Sequence, residues 1–185
     1  MITLKKHIKV VILLSMLFNY CSVTSQEKVS IGFYQDARLL LLGDNHSNPR
    51  GTIDIIFNLQ FQSSQKKHGY FIFFPEFENA NISGSSLKRY SLSAGFTFNK
   101  LQLLHRYLKK FEATSTIGFG VLDRFGTTTN NWSMNANLVY KINDRIKLGF
   151  NNQFMQRTDL RFKYQKDVIR HSFHFGIKVN LFKLK

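Results

Sequence analysis

The chain has 185 residues, of which 43% are hydrophobic, with 19 Phe, 2 Pro, one Cys and a formal charge of +15. That length suits a single domain, and a slightly negative mean hydropathy excludes a helical membrane protein with several spans. One cysteine excludes a disulfide framework.

Residues 1–25 read as a signal peptide. Lys5, Lys6 and Lys9 form a basic start, and Val10 to Phe18 is an apolar run far shorter than the roughly 20 residues of a spanning helix. Small residues from Ser22 to Ser25 follow, placing cleavage just before Gln26. Cys21 follows Phe18, Asn19 and Tyr20, a poor lipidation context, and is expected to leave with the leader. The mature chain then lacks a thiol. Its charge becomes 15 − 3 = +12 once the three lysines are gone. In an exported protein this surplus suits the phosphates of lipid head groups better than nucleic acid.

From Gln26 onward the hydrophobic period is two. Val29, Ile31 and Phe33 begin a strand expected to reach about Leu41. Thr52 to Gln62 alternates cleanly, while Tyr70 to Phe77 is apolar on both faces and leaves its orientation open. Tyr90 to Phe98 and Phe111 to Val121 alternate again. Trp132, Met134, Ala136, Leu138, Tyr140 and Ile142 share the next apolar face. Asn143-Asp144 then turns the chain into Ile146, Leu148 and Phe150. A final strand carries Phe173, Phe175, Ile177, Val179 and Leu181 on one face.

The pattern predicts an all-β chain: one antiparallel up-and-down barrel of about eight strands over residues 26–185, after the cleaved signal peptide. Outer connections are expected near Gly43–Arg50, Glu78–Leu87, Asp123–Asn130 and Gln156–Asp167, as the longer, Gly/Asn/Asp/Ser-rich set. Inner ones fall near Ser63–Lys67, Asn99–Lys109 and Asn143–Arg145. Leu101 to Leu108 fits either a helical turn or an extended strand end.

A soluble, secreted lipocalin-like barrel gives the same alternation with its faces inverted. The polar face favours a transmembrane barrel, because its mid-strand positions are mainly Ser, Thr, Asn, Gln and Gly with isolated charges of both signs. That composition suits the crowded interior of a narrow barrel. The apolar face is rich in Phe, Ile and Leu, with Tyr90, Trp132 and Tyr140 near strand ends as interfacial aromatics.

With its leader, strand count and closing strand Ser172-Phe-His-Phe-Gly-Ile-Lys-Val-Asn-Leu-Phe, the chain resembles the small OmpA/OmpX-type outer-membrane barrels, Bacteroidetes-like in style. The resemblance is architectural and rests on no specific motif. It implies the outer membrane of a Gram-negative bacterium, with outer-membrane lipids and lipopolysaccharide as surroundings. The terminal aromatic usual in such barrels is displaced, since Phe182 precedes a last residue Lys185.

Alternation points Asp36, Arg38, Asp54, Arg89, Glu112, Arg170 and Lys178 into the lumen. Buried charges at that density must pair, so they are expected to form a plug rather than line a wide pore. Arg157, Arg161, Lys163 and Lys166 form a basic outer loop suited to lipopolysaccharide phosphates.

Chemistry is sparse. Some barrels of the resembling class act on lipid A with a Ser, a His and an acid; Ser172, His174 and Glu112 are the candidates here, but an interior hydrogen-bonded His is the preferred reading. His46, His68, His105, His171 and His174 are scattered, and neither a metal site nor a cofactor is expected. The function read from sequence is therefore a non-enzymatic barrel with a structural or surface-interaction role, presenting its outer loops to a partner. A narrow solute channel and a lipid A-modifying enzyme are the alternatives.

Overall fold

A computed structural model describes residues 26–44, 48–82, 84–103, 105–160 and 169–183. The leader, together with Arg161, Lys163 and Lys166, lies outside the described residues. Eight antiparallel strands close in chain order: β1 (Gln26–Asp36), β2 (Asp54–Ser63), β3 (Gly69–Ile82), β4 (Ser85–Phe98), β5 (Phe111–Arg124), β6 (Thr127–Lys141), β7 (Ile146–Gln156) and β8 (Ile169–Lys183). β1 completes the cylinder by pairing with β2 on one side and β8 on the other.

The hydrogen-bonded row from Lys28 passes through Gln62, Ile72, Gly95, Thr116, Asn135 and Gln153 to Ser172. Ser172 lies two residues beyond His174, the partner of Asp36. One circuit therefore climbs about ten residues, the stagger of a tilted, narrow barrel that side chains fill.

The alternation separates two chemistries. Phe33, Phe71, Leu92, Phe119, Phe154, Phe173 and Ile177 point outward and are exposed, Phe119 by 68%. Arg89, Glu78, Asp54, Ser93, Thr116, Asn135, Gln153 and His174 point inward and are buried. A water-soluble barrel reverses these faces; an apolar exterior around a polar interior is a transmembrane barrel. Phe71, Phe96 and Phe98 make edge-on contacts at 5.1 and 4.8 Å near the inner ends of β3 and β4, and Phe111 meets Tyr140 at 5.1 Å nearby. The uncertain segment resolves the same way, with Tyr70, Ile72, Phe74 and Glu76 inside and Phe71 outside. Its Pro75 has no N–H, and the β2–β3 ladder is interrupted there, between Asn58–Glu76 and Phe61–Phe73.

Two expectations about connections need correction. The second and third outer connections are not long loops, because β3, β4, β5 and β6 continue pairing beyond their expected ends. Only residues 83–84 and 125–126 remain between strands. Phe125 and Gly126 have φ of 56° and 72°, the left-handed pair that matches hairpin twist. β1 also stops at Asp36 rather than near Leu41. Asp36 Oδ1 accepts from the Leu39 amide at 3.0 Å and starts a short helix, α1 (Ala37–Leu41). Between β4 and β5 lie two short 3-10 turns, Leu101–Leu103 and Arg106–Lys110. The Asn143 turn is as read: its Oδ1 accepts from the amides of Arg145 and Ile146 at 2.9 and 2.7 Å.

Candidate functional site

Among the described residues, the lumen is where the strands gather chemistry-bearing side chains in numbers. In its outer half Arg89 on β4 is 1% exposed and donates to Glu78 at 2.7 Å, Glu76 and Ser133 at 2.8 Å, and Ser91 at 2.9 Å. Arg170 on β8 reaches Glu78 at 3.1 Å and Asp36 at 3.5 Å, and also binds Asp54. Strands β1, β2, β3, β4, β6 and β8 are thereby joined across the interior. His174 places Nε2 3.6 Å from Asp54 Oδ2.

The inner half has the opposite balance. Glu112 on β5 accepts from Lys147 at 2.7 Å and pairs with Lys141 at 3.0 Å. Lys178 is buried on β8. Between the halves, Tyr34 lies across β8 and β7. A Cβ at Gly176 would fall 2.6 Å from Tyr34 Cδ1, and one at Gly149 would fall 2.8 Å from Cε1, so both positions make room for this ring.

Near the outer rim Ala80, Ile82, Leu87, Leu122 and Met155 form a small apolar cluster. Beside it Arg124 donates to Asp159 at 3.0 Å and to the Ile82 carbonyl. Arg157 grips the same carboxylate through two hydrogen bonds of 2.7 and 2.6 Å. Burial alone would push the Asp159 carboxyl up. The hydrogen bond and charge of Arg157, then those of Arg124, outweigh it and hold the group below the ordinary aspartate range.

Of the residues named from sequence, Asp36, Asp54, Arg89, Glu112, Arg170 and Lys178 occupy this interior. Arg38 does not. The α1 turn breaks the strand period, and its side chain is exposed, donating to the His171 carbonyl at 3.3 Å. Arg157 is likewise not a loop cation facing head groups, because Asp159 draws it to 3% exposure. Ser172 and His174 share the lumenal face, but Glu112 is held by lysines; the acids near His174 are Asp36 and Asp54.

Sequence reasoning did not assign Glu76, Glu78, Lys141, Lys147, Arg124 or Asp159. Glu76 sits on the segment whose faces were ambiguous, and Glu78 was placed in the outer connection Glu78–Leu87, where β3 in fact continues to Ile82. Lys147 alternates with Ile146 and Leu148 on β7 and so faces the lumen, but it was not among the charges named from sequence.

A closed eight-stranded cylinder, polar within and apolar without, defines a small transmembrane barrel with the fold seen in OmpA/OmpX-type barrels. In agreement, the chain is similar to the solved structure of the Yersinia pestis outer membrane protein Ail in a phospholipid bilayer nanodisc. That alignment has a TM-score of 0.53 at 16% identity over 85% of this chain and 99% of Ail. A crystal structure of Ail, the attachment invasion locus protein of Yersinia pestis, aligns at 0.48 and 13% identity over 86% and 100% of the two chains. A de novo designed transmembrane β-barrel aligns at 0.47 and 11% over 86% and 98%. No family profile matches the sequence, and no curated protein does. At such identities the likeness concerns the fold.

Proposed function

We propose that the chain is exported, loses residues 1–25, and works in the outer membrane of a Gram-negative bacterium as a non-enzymatic barrel. Its role is to stabilise the membrane and present its outer connections to a partner. The carrying observation is the interior: Arg89 and Arg170 tie four carboxylates from three strands across the lumen, which opposes free passage of solutes. Ser172 Oγ and both His174 ring nitrogens lack hydrogen bonds, so they are not paired with each other as nucleophile and base would be. Lipopolysaccharide contact falls to Arg161, Lys163 and Lys166, with Arg157 serving the rim instead.

The test uses the mature chain refolded in a planar bilayer, with its heat-modifiable gel shift confirming the folded barrel. Electrical silence is expected, and stepwise conductance would overturn the plugged-lumen reading in favour of a channel. Lipid A from cells with and without the protein should give identical mass spectra. A changed acyl pattern that disappears in Ser172→Ala would establish an enzyme.

A further inference from the structure

The outer half of the lumen is out of charge balance. It holds four buried carboxylates, Asp36, Asp54, Glu76 and Glu78, against two guanidiniums, Arg89 and Arg170. With all four carboxylates ionised and His174 neutral the sum is 2 − 4 = −2. Uncompensated charge in such a setting is strongly unfavourable.

The hydrogen bonds locate the deficit. Glu76 and Glu78 are occupied by Arg89, and Glu78 also by Arg170. Asp36 Oδ2 and Asp54 Oδ1 have no hydrogen-bond donor. The imidazole of His174 is wholly buried, and neither of its nitrogens makes a hydrogen bond. One ligand atom from each of these three residues lies within 4.8 Å of the others.

Their backbone placement is fixed on three adjacent strands. Asp36 ends β1 with its other oxygen committed to the α1 cap, Asp54 begins β2, and His174 is the β8 partner of Asp36. A wholly buried imidazole without a hydrogen bond, beside two carboxylates that each keep one oxygen without a donor, is a donor set, not only an acidic cluster.

We infer that Asp36, Asp54 and His174 bind one divalent transition-metal cation of the zinc class. Two carboxylate oxygens and an imidazole nitrogen suit such an ion at ligand distances near 2.0–2.2 Å, and small side-chain rotations close the present spacing. The imidazole disfavours magnesium and calcium, which take oxygen ligands. A charge of +2 brings the sum to zero with His174 neutral, as a ligand must be. Arg170 holds Asp54 through Oδ2 and lies 3.5 Å from Asp36 Oδ2, so it orients both carboxylates while Asp54 Oδ1 stays open to the ion. Ser172, buried and without a hydrogen bond, lies two residues away on the same strand face and offers a partner for a metal-bound water.

The experiment takes the untagged mature barrel, refolded in detergent after chelator treatment, and equilibrates it with Zn²⁺ or Co²⁺. Elemental analysis after gel filtration is expected to give one ion per chain, with visible Co²⁺ absorption bands. The urea midpoint should rise with Zn²⁺. His174→Gln and Asp54→Asn should each weaken binding at least tenfold while keeping the folded gel mobility. His171→Gln and His105→Gln, at exposed histidines, should bind as the parent does. A folded parent that binds no ion at micromolar excess would overturn the site. So would equal binding by His174→Gln, which would assign the ion to surface histidines.

Discussion

Replacing Arg89 by Met keeps most of the side-chain volume and removes four hydrogen bonds of 2.7–2.9 Å from a residue 1% exposed to solvent. Glu76 then has no counter-ion, and Glu78 keeps only Arg170. Removing one partner from a buried ion pair typically destabilises by about 3–5 kcal/mol, because the remaining charge is left uncompensated. Domain stabilities are roughly 5–15 kcal/mol, so Arg89→Met should bring the barrel near its limit. Adding Glu76→Gln removes the stranded charge and should recover about 0.5–3 kcal/mol, the range of direct coupling energies. The assay is reversible urea unfolding in phospholipid vesicles, read by the single tryptophan, Trp132, on the outward side of β6. The gel shift scores the folded fraction of any variant too weak to titrate. A loss under about 1 kcal/mol for Arg89→Met, or a further loss on adding Glu76→Gln, would refute the view that this cluster is a paired, water-poor plug.

Gly149→Ala should destabilise by about 1–3 kcal/mol through collision with Tyr34; combination with Tyr34→Ala should be less than additive in the same titration, and strict additivity would remove Tyr34 from the account. Phe119→Lys puts a charge on the outward face and should cost about 2–4 kcal/mol in lipid vesicles, whereas a neutral effect would contradict lipid contact there. Asp159 gives a pH signature. Its folded pKa lies below the ordinary 3.8, so its stabilisation is complete above that value and is lost as pH falls through the depressed folded value. Urea midpoints of the parent and Asp159→Asn should therefore differ most near neutrality and converge in acid. Parallel curves down to pH 2 would dismiss the Arg157–Asp159–Arg124 rim as a contributor.

The strands were legible because a half-buried strand writes its faces at a period of two, and all but one segment carried that signal cleanly. Arg38 departs from that period. Counting by twos past Asp36 ignores that Asp before Ala-Arg-Leu-Leu is also a helix start, a signal present in the sequence. Glu76 was missed because Phe73, Phe74 and Phe77 make β3 greasy on both sides, and only its pairing with β2 and β4 assigns the faces; Glu78 was missed because it was placed in an outer connection, whereas it pairs with Arg89 in the β3–β4 ladder. Arg157 was read as a loop charge for want of any local mark of its partner, two residues on. The Asp36–Asp54–His174 cluster draws on strands β1, β2 and β8. No local pattern reports a meeting of the chain's first strands with its last; barrel closure alone creates it.

Closure gives Arg170 a further consequence. If β8 slid by two residues against β1 and β7, Phe173, Phe175 and Ile177 would still face lipid, so the greasy pattern cannot distinguish that mispairing from the native one. The slide would carry the Arg170 guanidinium about 7 Å along the strand, out of reach of Asp36, Asp54 and Glu78 together. The first three strands to emerge thus hold the acids against which the last strand is aligned. Arg170 acts as a registration pin: the seam can zip in several frames, but only one seats it.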